Sequence, residues 1–143
     1  MYQKISWPNS KRFAFTIFDD TDRANLKDSQ LVYQCLDELG FKTTKSVWVI
    51  EGNRPHEDSG ITCDDKMYLN LLLTLKNKGF EIGYHNTTYH SSYRLDIEKG
   101  LKKFIKMFNQ NPKVMANHSA NQENIYWGSH RLSREEDVSG LQE

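Results

Sequence analysis

"GFEIGYHNTTYH", residues 79–90, changes character halfway along. Gly79 closes a helical pattern, and "FEIGY" reads as a short buried strand. His85 then opens a polar run of Asn86, Thr87, Thr88 and Tyr89 that ends on His90. Two imidazoles placed where a strand runs out either decorate a loop or converge on something that wants nitrogen ligands. The segments on either side bear on that choice.

Upstream, "DDKMYLNLLLTLKNKG" (64–79) sets Met67, Tyr68, Leu71, Leu72 and Leu75 on one helical face. Its acidic start and basic end match the helix dipole. Downstream, "RLDIEKGLKKFIKMFNQN" (94–111) predicts a helix with Ile97, Leu101, Phe104, Ile105 and Phe108 inward, and "KVMANH" (113–118) a strand. Nearer the N-terminus, "RFAFTIF" (12–18) and "TTKSVWVI" (43–50) predict strands. Between them, Leu31 to Gly40 predicts a helix facing inward through Val32, Cys35, Leu36 and Leu39. The loop "EGNRPHEDSG" (51–60) follows the second strand.

The order βαβαβαβ with short links predicts an α/β fold of parallel strands with helices packed outside. Such folds gather functional groups at the C-terminal ends of their strands, in a closed barrel or an open sheet alike. Here those ends carry Asp19-Asp20, Glu51, His85 and Asn117-His118.

A chain of 143 residues makes one domain, with a core expected over about 12–128 and a loose tail over 129–143. Lys plus Arg and Asp plus Glu both number 19, a balance that argues against nucleic acid or an anionic membrane surface as partner. A mean hydropathy of -0.76 leaves no room for a membrane span. The N-terminal stretch shows no signal-peptide pattern, so a cytoplasmic protein is expected, and Cys35 and Cys63 read as two reduced thiols. Cys35 is expected as a small core residue on the apolar side of its helix.

Taken singly, an Asp after a strand is commonly a cap, and a lone loop His is commonly solvated. A carboxylate converging with two imidazoles is different. It is a ligand set suited to zinc with a position open for water, and a second acid beside it provides a base.

"FTIFDD" resembles the TFDD motif of polysaccharide deacetylases, the NodB-homology group of carbohydrate esterase family 4. "GFEIGYHNTTYHSS" is similar to that family's second motif, a Gly-x-Glu-x-Gly-x-His stretch followed by another histidine, and "LDELGFKTTKSVWV" resembles the segment between them. The resemblance covers about residues 12–118. It implies a distorted β/α barrel that removes acetyl groups from N-acetylated sugars with a divalent metal, usually zinc. It also implies Asp19 as general base and Asp20, His85 and His90 as metal ligands.

This chain also departs from the pattern. Four residues, not three, separate His85 from His90, Thr21 replaces a glycine, and Asp22 adds a carboxylate. After the fourth strand, Asn117, His118 and Asn121 stand where the family has an Arg and a Pro. His118 is thereby a candidate to orient Asp19, touch substrate or donate a proton, against the plainer role of a local hydrogen-bonding residue. Tyr126 and Trp127 are read as core aromatics before sugar-stacking ones. The family's last motifs, including the histidine that acts as general acid, have no counterpart before Glu143.

The expectation is therefore a metal-dependent carbohydrate deacetylase on an incomplete barrel, with an open strand edge that invites self-association. Its alternatives are a carbohydrate- or metal-binding remnant without turnover, and an unrelated α/β domain.

Overall fold

The strands pair in chain order, all parallel, into one four-stranded sheet. The computed structural model describes residues 6–54, 56–119 and 121–124. In it β1 (Phe18–Asp19), α1 (Leu26–Glu38), β2 (Thr44–Val47), α2 (Lys66–Asn77), β3 (Glu81–His85), α3 (Arg94–Phe108) and β4 (Met115–Ala116) follow one another, as the alternation predicts. The sheet curls into a half-barrel carrying three helices. Trp127 and Tyr126, and the tail from residue 129, lie outside the described residues.

Sheet position explains which strands are long. The inner strands β2 and β3 pair on both sides, and all four residues of β2 are buried. Gly83 on β3 allows tight closure there, since a Cβ would stand 3.0 Å from Thr44 Cγ2 and 3.2 Å from Val114 Cγ2. The edge strands are shorter than expected. The predicted strand over 12–18 contracts to Phe18–Asp19, and 113–118 to Met115–Ala116. Each has one hydrogen-bonding neighbour in the sheet, and Phe13 and Phe15 are 77% and 71% exposed, without the burial that would hold an aromatic strand down.

The main core joins Val47, Ile82 and Tyr84 of the sheet, with Val49 just past β2, to Tyr68 and Leu72 of α2 and Phe104 and Phe108 of α3. The faces predicted for α2 and α3 are largely those observed, although Met67 and Leu101 are exposed. α1 differs more. It starts at Leu26, where Asn25 caps it by accepting the Asp28 N–H at 2.9 Å. It docks through Tyr33, while Val32, Cys35 and Leu39 are exposed. The cause is the tyrosine's double hold. Its ring packs edge-on against Phe80, centroids 5.2 Å apart, and its hydroxyl donates to Asp19 Oδ2 at 3.0 Å. Val32, Cys35 and Leu39 offer no such polar tip and lose the inward face. No helix among the described residues is long and apolar enough to cross a membrane.

Candidate metal centre

β1 ends in a tight turn, with the Ala24 N–H donating to the Thr21 carbonyl at 3.1 Å and Arg23 at φ 55°. Adjacent residues at a strand end point to opposite faces, so Asp19 and Asp20 part company. Asp19 turns towards α1, where Lys45 Nζ meets its Oδ2 at 2.9 Å alongside the Tyr33 hydroxyl. Asp20 turns the other way, and the turn brings Asp22 round beside it, the Asp22 N–H reaching Asp20 Oδ1 at 3.3 Å.

Both carboxylates face His85 at the end of β3. Its Nε2 lies 3.3 Å from Asp20 Oδ1 and 3.6 Å from Asp22 Oδ1. Ligand atoms of Asp20, Asp22 and His85 all fall within 4.8 Å of one another. The tautomer follows from the other ring nitrogen. Nδ1 is 3.1 Å from the Ala116 carbonyl, which can only accept, so Nδ1 carries the proton and Nε2 presents a lone pair. Nε2 is buried without a hydrogen-bond partner, and so is Asp22 Oδ1.

Electrostatics reinforce the convergence. Burial pushes the His85 imidazole towards its neutral form, overriding the attraction of Asp20 and Asp22. Burial first, and the charge of Asp20 second, push the Asp22 carboxyl above its ordinary range. A neutral nitrogen lone pair aimed at two acids is unfavourable unless a proton or a cation lies among them. The donor set of one imidazole and two carboxylates fits a divalent ion.

His118 follows β4 and is 1% exposed. Its Nε2 is 3.5 Å from Asp22 Oδ2, while Nδ1 bonds Asn121 Oδ1 at 3.0 Å. The Asn121 amide is oriented by its nitrogen, which donates to the Thr88 and His90 carbonyls at 3.2 and 3.0 Å. Asn121 therefore accepts from Nδ1–H, and His118 directs its Nε2 lone pair at Asp22. Asn86, held at φ 52° past β3, completes the support. Its Oδ1 accepts the His118 N–H at 3.0 Å and its Nδ2 donates to Asn124 Oδ1 at 2.9 Å. Trp48, fully buried, forms the floor. Its ring stacks on His85 at 5.8 Å and meets His118 edge-on at 5.7 Å.

The structure thus unites Asp20 and His85, adds Asp22, and sets His118 behind Asp22. It does not bring Asp19 or His90 to them. His90 Nε2 accepts the Asn53 N–H at 3.2 Å, and Nδ1 faces the Ser91 carbonyl at 2.8 Å. Its ring lines a separate cavity of about 190 Å³ with Glu51, Asn53 and Thr88. Glu51 is likewise occupied, accepting from Thr62 at 3.1 Å and from Tyr89 at 3.1 Å. Sequence reasoning missed Trp48, Asn86 and Asn124, and also His56 and Asp58, which form a second group with His118. The alternate spacing Asp20-x-Asp22 directly after β1, repeated as His56-x-Asp58 within the loop after β2, was the available signal. Set against known proteins, the chain matches no family model, no curated protein and no solved structure.

Proposed function

We propose that this chain is a metal-dependent hydrolase of the polysaccharide deacetylase type, cleaving the N-acetyl group of a sugar or glycan intermediate. The observation that carries the reading is the buried Nε2 of His85, without a hydrogen bond and facing two carboxylates at the C-terminal rim of a parallel sheet. Asp20, Asp22 and His85 would hold the ion, with Asp22 in the place that the motif resemblance implies for His90. Such an ion, when bound, supplies Lewis-acid polarisation of an acetyl carbonyl.

The chain's own groups divide the remaining work. Asp20 has 69% of its side chain exposed, so it meets incoming water and substrate. It takes a proton from the attacking water and returns it to the amine nitrogen as the carbon–nitrogen bond breaks, giving acetate and a free amine. Asp22, with 30% of its side chain exposed, is the more sheltered of the two acids, and its Oδ2 lies 3.5 Å from His118 Nε2. His118, 1% exposed, is shut away from substrate.

The test is zinc binding by calorimetry together with acetate release from N-acetylglucosamine oligomers. Wild type should bind zinc and release acetate. His85→Ala should lose tight zinc binding and acetate release, and Asp20→Asn should lose acetate release. His90→Ala should keep zinc affinity within about threefold. Zinc binding unchanged by His85→Ala would overturn the site. Zinc binding without acetate release from any acetylated sugar would leave a binding protein in place of the enzyme.

A further inference from the structure

The loop after β2 reaches the same rim from the other side. His56 and Asp58 each bring a ligand atom within 4.8 Å of His118 and of one another. The His56 ring stands edge-on to that of His118, centroids 5.5 Å apart at 74°. This loop is clamped to the turn that carries Asp20 and Asp22. The Arg23 N–H donates to the Asp58 carbonyl at 3.1 Å, and the Ile61 N–H to the Ala24 carbonyl at 2.8 Å. Gly60 packs so closely that a Cβ there would stand 2.7 Å from the Ala24 nitrogen. The two groups are therefore parts of one preorganised rim.

Asp22 is the joint between them. Its Oδ1 lies 3.6 Å from His85 Nε2 and its Oδ2 lies 3.5 Å from His118 Nε2, one oxygen turned to each group. We infer that the rim binds two divalent cations, one at Asp20, Asp22 and His85 and a second at His56, Asp58 and His118, with Asp22 bridging. This rests on the cation reading of the first group and extends it to a different donor set.

Charge favours a pair of ions. Three carboxylates, Asp20, Asp22 and Asp58, stand among the imidazoles of His56, His85 and His118. The guanidinium of Arg23 meets Asp58 Oδ1 at 3.0 Å, but with 69% of its side chain in solvent it offsets little of that charge. A carboxylate with one oxygen on each ion suits the separation of about 3.5–4 Å typical of two-metal centres. The sites are unequal. The Asp58 N–H bonds His56 Nδ1 at 3.3 Å, which places the neutral ring's proton on Nε2. That proton must leave, or the bond must break, before His56 takes an ion. The second site is accordingly the weaker one.

The full chain, stripped with chelator, should be equilibrated with rising free Zn²⁺ and its bound metal counted by mass spectrometry. Wild type should fill in two steps to two zinc ions per chain. Near-isosteric His56→Gln and Asp58→Asn should each stop at one, keeping the tighter step. His85→Ala should lose the tighter step. With Mn²⁺ in place of zinc, the wild type should give an exchange-coupled electron paramagnetic resonance signal at full loading, a readout that needs no variant. Saturation at one ion that His85→Ala abolishes would overturn the second site and leave the first. Two ions bound by the His56→Gln/Asp58→Asn double variant would overturn it as well. Loading indifferent to His85→Ala would overturn the first group instead.

Discussion

Replacing Asp19 by asparagine tests whether this acid serves catalysis or the fold. Its ion pair with Lys45, at 2.9 Å, is lopsided, since 2% of the lysine side chain is exposed against 33% of the aspartate's. Asp19→Asn strands a buried ammonium. Breaking a fully buried pair costs about 3–5 kcal/mol, and partial access of water at the Asp19 end brings this to about 2–4 kcal/mol. Lys45→Met leaves a carboxylate that keeps the Tyr33 hydroxyl and water, and should cost about 1–2 kcal/mol. The double variant strands neither charge. It should lie close to Lys45→Met and well short of the sum, a coupling of about 2 kcal/mol. Urea unfolding followed by circular dichroism gives all four stabilities from midpoints at constant slope. Zinc affinity of Asp19→Asn should stay within about threefold of wild type. An Asp19→Asn protein as stable as wild type to within about 0.5 kcal/mol, or strictly additive costs, would refute the reasoning and return Asp19 to the role of base.

Three further outcomes are expected. Cys35 is exposed, whereas burial pushes the Cys63 thiol up to about 12, so a thiol reagent at neutral pH should label one cysteine rapidly and the other only on unfolding. Asn86→Ala removes the acceptor of the His118 N–H and puts a Cβ-bearing residue without a polar side chain at φ 52°, which should cost about 2–4 kcal/mol, read by thermal unfolding. Asn86→Gly, free of the backbone strain, should recover part of this and not all. Zinc should change the emission of Trp48, which stacks on His85, and Trp48→Phe should abolish that change while zinc still binds by calorimetry.

The alternation of elements was legible because each helix and strand carries its own periodicity and stop signal. Gly79 and the run from Phe80 to Tyr84 place β3 almost to the residue. Edge strands were harder, because their length depends on neighbours that a local pattern does not reveal. The α1 face was misread for a related reason. Four apolar residues at helical spacing outweigh one tyrosine on paper, but the tyrosine alone satisfies both Phe80 and Asp19. At the site, His85 and Asp20 were legible from their place after strands. The motif's adjacent acids hid the point that neighbours at a strand end face opposite ways, so Asp22 joins Asp20 and Asp19 does not. His90 drew attention by its type, yet its ring nitrogens are taken by Asn53 and Ser91 backbone groups. His56 and Asp58 lay in a stretch that reads as turn, and only the backbone bonds to residues 23 and 24 bring them to the rim.

The all-parallel pairing also fixes when the rim can exist. Strands joined by crossovers meet only after long loops close, which makes such pairings late and slow. The ligand atoms come from the turn after β1, the loop after β2 and the ends of β3 and β4, so no fragment lacking one of these holds the full set. The ion proposed above would grip the finished arrangement and find little to hold in the open chain. Binding of that ion would then draw the population towards the native state by mass action, about 2.7 kcal/mol at a hundredfold excess over the dissociation constant. The rim would serve as the last clasp of assembly, with the yield of native protein rising with the free metal present while the chain folds.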